Sequence, residues 1–150
     1  MATISEEQFR NELEDLLAIS NEIEDGWKKN TEGEQVCISK RIRSPSSGIT
    51  SEFHVVYSPS YQVPILYLRH YDPKGQLVLD SKEFEDLIGQ YLSPVPHPLN
   101  GSPFLHIHPC KTSELMGKLT ELRPKSYLLS FLSTMGPYVG LYLGLEYAQK

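Results

Sequence analysis

The chain has 150 residues, of which 39% are hydrophobic and 22% charged, with a net charge of −5. That length accommodates one domain with a self-standing core, and the composition excludes disorder; no apolar run approaches the roughly 20 residues that span a bilayer. Residues 1–34 hold ten acidic and three basic side chains, the remainder nine acidic and eleven basic, so no basic stripe suited to nucleic acid is present.

Met1 to Glu7 shows no basic segment followed by an apolar one, so no secretory leader is expected. The first element is a helix: Ser5 can cap it, with Gln8 completing a capping box. Phe9, Leu13, Leu16, Leu17, Ile23 and Trp27 recur at three- and four-residue spacing as one apolar stripe, and Gly26 and the stretch 30–33 end it. The acidic face opposite reads as solvated.

Four strands are predicted next. Val36, Ile38 and Ile42 share one strand face, with Cys37 on the other. Lys40, Arg41 and Arg43 in the same segment read as a solvated strand edge. Phe53 to Tyr57 follows the turn at Ser44–Gly48, and Pro64 to Leu68 follows the turn at Ser58–Ser60. The latter strand is apolar on both faces and so is expected to be covered on both. Asp72-Pro73-Lys74-Gly75 has the residues of a type I turn before a short strand ending at Leu79.

Asp80 and Glu83 make a second capping box, opening a short helix over about 82–90. Four prolines between Ser93 and Pro103 predict an extended loop leading to Phe104-Leu105-His106-Ile107-His108-Pro109-Cys110. Thr112 or Ser113 can cap a helix through Met116, and Ser126 to Met135 is another, stopped by Gly136-Pro137. The tail from Tyr138 to Leu143 is apolar and has no decided secondary structure. The class is α+β over residues 1–150: an N-terminal helix, a four-stranded antiparallel meander, a cysteine loop and C-terminal helices.

Chemistry concentrates at Cys110. His108 precedes it by two residues, Lys111 follows it, a helix begins just beyond, and Pro109 ends strand pairing and turns the chain outward. Each favours an accessible, reactive thiolate; the bland alternative is a buried structural cysteine. The spacing of His106, His108 and Cys110 would place three ligands on one strand face, with His70 or His97 as a distant fourth. Pro109 disrupts that geometry, His106 suits a packed role, and the reading assigns no metal and no cofactor. Cys37 reads as structural; two cysteines are too few for a disulfide framework and fit a reducing, cytoplasmic setting. Tyr57, Tyr61, Tyr67 and Tyr71 read as packing residues of the meander.

His108-Pro109-Cys110-Lys111-Thr112, with Ser130-Phe131-Leu132-Ser133 and Gly136 to Leu141, resembles the autophagy-related ubiquitin-like-conjugating enzymes, and the stretch from Glu52 to Tyr67 strengthens the match. The similarity runs from about Val36 to Tyr147. It implies a ubiquitin-conjugating-enzyme-like fold with Cys110 as the active-site cysteine. It also implies that an activating enzyme, autophagy-related protein seven, loads a ubiquitin-like protein, autophagy-related protein twelve, onto Cys110 as a thioester. A lysine of autophagy-related protein five then receives it. Ubiquitin-conjugating enzymes carry His-Pro-Asn, whereas here the third position is Cys110 itself, so another oxyanion donor is needed. Tyr57 is the candidate, with His108 holding the cysteine loop or assisting the thiolate. The competing function is a catalytically inactive adaptor of the same fold that binds ubiquitin-like proteins.

Overall fold

The computed structural model describes residues 3–79, 91–119 and 126–149. The helix expected over 82–90 lies outside them. α1 spans Glu6–Ile23, and the Ser5 hydroxyl accepts the Gln8 N–H at 3.1 Å, the first half of the expected capping box, while the Gln8 side chain donates to Glu12 at 2.7 Å instead of turning back to Ser5. The helix ends earlier than its apolar stripe: Glu24 takes a left-handed cap conformation, and Trp27 packs into the core from the connection beyond. The polar run Lys28–Glu32 is a strand, β1, which the sequence reading missed. Its exposed pattern contains no apolar alternation, and only its pairing with the next strand makes it one.

The strands that follow are β2 (Gln35–Arg43), β3 (Thr50–Ser58), β4 (Val63–Tyr71), β5 (Leu77–Val78), β6 (Leu92–Pro96) and β7 (Pro103–Ile107). Their order is β1-β2-β3-β4-β7-β6, all antiparallel, with β5 also paired to β4. The four-strand meander is thus part of a larger sheet. The proline-rich stretch, expected as a loop, is a hairpin. Pro94 and Pro96 sit on its outer strand, where alternate nitrogens face the open edge and a missing N–H costs no ladder bond. β1 pairs with Gln35–Ser39 only, so Lys40, Arg41 and Arg43 lie beyond it on the edge of β2, with Arg41 and Arg43 exposed as expected; Lys40 is half-buried over Trp27, while Arg41 pairs with Glu52 at 3.2 Å on the opposite face.

One sheet face carries Ile38, Phe53, Val55, Leu66, Leu68, Leu105 and Ile107 against the helices. Burying large side chains such as Phe9, Phe53 and Phe131 there stabilises the fold by about 1.5–3 kcal/mol each. The second face has its own small core of Cys37, Val56, Ile65, Tyr67 and Phe104. β4 is therefore buried on both sides, as its sequence predicted.

α2 spans Pro109–Leu119 and α3 spans Tyr127–Met135. Ser126 caps α3, and Glu12 of α1 adds a second cap by accepting the Leu128 N–H at 2.7 Å. α3 stops at Met135, as Gly136-Pro137 predicted, and the chain tightens there into a 3₁₀ turn, Gly136–Val139. A side chain at Gly136 would collide with the Leu141 carbonyl, whose N–H donates back to the Gly136 carbonyl at 2.9 Å. The undecided tail is irregular up to a second 3₁₀ turn at Leu145–Gln149.

Candidate active site

β7 ends at Ile107, and the His108 N–H donates to the Tyr91 carbonyl at 2.8 Å, the last cross-strand bond of the hairpin. Pro109 then occupies the first helical position, where a missing N–H costs nothing and the fixed φ suits a helix. Helix α2 therefore starts three residues before the expected cap, and Thr112, read as a cap, is fully buried within it. The capping residue is His108. Its Nδ1 accepts the Cys110 N–H at 3.1 Å and its carbonyl accepts the Lys111 N–H at 3.0 Å. With Nδ1 an acceptor, the neutral ring carries its proton on Nε2.

Cys110 thus stands exposed in the first turn of a helix, at its electropositive end. Aromatic rings flank the turn. Tyr61, half exposed in the β3–β4 connection, meets the His108 ring edge-on at 5.9 Å, and the Lys111 ammonium lies 4.7 Å from the centre of the Tyr91 ring. The sequence reading missed Tyr61 and Tyr91 as neighbours of the cysteine. Only the exposed turn Ser58–Ser60 beside Tyr61 hinted at it.

His106 is packed, as expected, with its ring against Tyr67 at 5.8 Å; burial, then the nearby His108, pushes its pKa down. Tyr57 is not free to serve as the oxyanion donor. It lies on the helix-covered face, its ring packs against Phe9, and its hydroxyl donates to the Ile4 carbonyl at 2.8 Å. That partner is 53 residues away in the chain, which hid it from a reading of the local motif. Tyr57→Phe should therefore leave single-turnover discharge of a preloaded adduct at the parental rate. It should lower stability by about 1 kcal/mol through the lost bond. His108→Ala, which removes the helix cap, should slow loading and discharge alike. Slowed discharge in Tyr57→Phe at unchanged stability would restore the tyrosine to the site.

Cys37 is buried on the second sheet face, where burial raises its pKa against a weak opposing bond from Asn30. His97, the distant fourth ligand of the His106, His108 and Cys110 set, instead sits on that same face against His54, with its Nε2 3.0 Å from His54 Nδ1. The two cysteines are thus separated by exposure as well as by context.

Residues 2–146 match the family model described as autophagocytosis associated protein, active-site domain. The chain is 37% identical over 120 residues to the ubiquitin-like-conjugating enzyme ATG10 of Homo sapiens, covering 69% of this chain and 54% of that protein. Over 119 residues it is 33% identical to the protein of the same name from Dictyostelium discoideum, covering 62% and 51%. Autophagy-related protein 3 of Schizosaccharomyces pombe is 28% identical over 127 residues, 73% of this chain and 46% of that protein. The chain spans about half the length of these curated relatives. With a match that runs through the α1 stripe, the sheet and the His108-Pro109-Cys110 turn, the chain belongs to the autophagocytosis-associated active-site domain family.

Proposed function

We propose that residues 1–150 act as one cytoplasmic catalytic domain that carries a ubiquitin-like protein as a thioester on Cys110 and transfers it to a lysine. The observation that carries this reading is an exposed thiol in the first turn of a helix capped by the preceding histidine. In loading, the Cys110 sulfur attacks the thioester carbonyl on the activating enzyme, whose own thiol leaves. In transfer, the lysine amine attacks the new thioester, the Cys110 thiol leaves, and an isopeptide bond forms. Both steps pass through an oxyanion, and a preplaced donor is worth roughly 10²–10³ in rate. Two first-turn amides are already engaged by His108, and we assign the oxyanion donor to the His108 ring through its Nε2–H.

The family names of the relatives support conjugation in the autophagy pathway. The finer assignment follows the resemblance: loading by autophagy-related protein seven, cargo autophagy-related protein twelve, acceptor autophagy-related protein five. The test is reconstitution of the purified chain with that activating enzyme, ATP and that ubiquitin-like protein. A thiol-sensitive adduct on non-reducing gels, resolved to the isopeptide on adding the acceptor, is the expected result. Stable binding of the ubiquitin-like protein without an adduct would favour the inactive adaptor.

A further inference from the structure

The second sheet face holds a cluster that conjugation does not use. Cys37 of β2, His54 of β3 and His97, just beyond β6, are all buried, and their ligand atoms lie within 4.8 Å of one another. We propose that Cys37 Sγ, His54 Nδ1 and His97 Nε2 form a binding site for a d¹⁰ cation, zinc in the first instance, which clasps the β6–β7 hairpin turn to the sheet.

The donor set is one thiolate and two imidazoles, which zinc accepts in tetrahedral sites at about 2.3 Å to sulfur and about 2.0 Å to nitrogen. Two nitrogens so bound stand roughly 3.3 Å apart, a few tenths more than the present 3.0 Å between the two rings. The surroundings are those of a metal-binding histidine. His54 Nε2–H donates to the Glu52 carboxylate at 2.7 Å, which turns the Nδ1 lone pair toward Cys37 and His97. Glu52 is itself held by Arg69 Nε at 3.0 Å and Arg41 at 3.2 Å. Phe104 and Tyr67 wall off the rings, at 5.0 and 5.3 Å from His97. A fourth position is left for water.

Without the ion, the same atoms make a relay. The Leu99 N–H donates to His97 Nδ1 at 3.1 Å, so His97 Nε2–H donates to His54 Nδ1. Binding therefore has a defined balance. The His97 ring proton moves from Nε2 to Nδ1, Leu99 gives up its acceptor, and the Cys37 thiol releases its proton to solvent. Each bound ion releases one proton, and affinity rises with pH while the thiol remains protonated. Among the described residues, Glu52 from β3, Arg41 from β2, Arg69 and Tyr67 from β4, and His106 of β7 against Tyr67 are the titratable groups on this face around the cluster.

The experiment uses the Cys110→Ser chain, in which Cys37 is the sole thiol. Cobalt(II) should bind one ion per chain with a thiolate-to-metal charge-transfer band, and zinc should displace it. Adding His97→Gln should weaken zinc binding by about 100-fold or more. The charge-transfer band requires no change within the cluster, so a poorly folded ligand variant does not decide the matter. Absence of stoichiometric uptake overturns the proposal. So does uptake without a thiolate band, or uptake that a folded His97→Gln protein retains at full affinity.

Discussion

Replacing Cys110 by serine should abolish transfer to the acceptor, lowering it by more than about 10³-fold, while converting a thiol-labile adduct into a persistent oxyester. The oxygen ester retains the covalent link, but the alkoxide is a far poorer leaving group than the thiolate. The chain's two thiols differ sharply in access: Cys110 is exposed at the start of α2, and Cys37 is buried between β1 and β3. Iodoacetamide titration of the native protein, read by peptide mass, should accordingly modify Cys110 well before Cys37. A Cys110→Ser protein that still transfers, or a native protein that alkylates first at Cys37, would remove Cys110 from the mechanism.

Acid should destabilise the metal-free fold in two overlapping stages, both originating on the second sheet face. Burial, reinforced by the charges of His54 and Arg69 and opposed by Glu52, lowers the His97 pKa from 6.5 to about 4. The unfolded chain therefore takes up a proton below pH 6.5 that the folded chain refuses, and stability drops as pH falls from there to about 4. Glu52 acts lower. Burial raises its carboxyl, but hydrogen bonds from His54 and Arg69 and the Arg69 charge overcome that and bring it from 4.5 to about 2. Its contribution is fully present above pH 4.5 and is lost as pH falls through about 2. Each stage is worth about 3 kcal/mol. Urea unfolding in chelator at a series of pH values measures both. Glu52→Gln should destabilise the protein at neutral pH by about 3–5 kcal/mol, since it leaves the largely buried Arg69 guanidinium without its counter-charge. It should also flatten the lower stage. Stability that stays level from pH 7 to 3 would mean that these groups are solvated and the network adds nothing.

Some elements were legible because their information is local. The α1 stripe and its Ser5 cap lie within one helical period, and the turn at Asp72–Gly75 is written in four residues, with the Gly75 N–H donating to the Asp72 carbonyl at 2.9 Å. The run from Pro64 to Leu68, apolar on both faces, forecast a strand buried on both sides. Cys110 stood out because the features around it, a histidine two residues before and a proline directly before, are adjacent in the chain.

What remained hidden depends on partners far away in sequence. Lys28–Glu32 has no strand pattern of its own and is a strand because β2 supplies its hydrogen bonds. Pro94 and Pro96 read as a loop because proline is foreign to a sheet interior, and only their place on an outer strand makes them tolerable. The Tyr57 hydroxyl is committed to Ile4, 53 residues away, which no local motif announces. Cys37, His54 and His97 meet only because β2 and β3 pair and the β6–β7 turn folds over that sheet face. A side chain's neighbours along the strand are set by its period of two, whereas its neighbours across the sheet are set by register and by what packs on the face. The sequence by itself therefore determined the family and singled out Cys110 by its local chemistry, while only the tertiary structure decided which polar groups were already engaged and which were brought together.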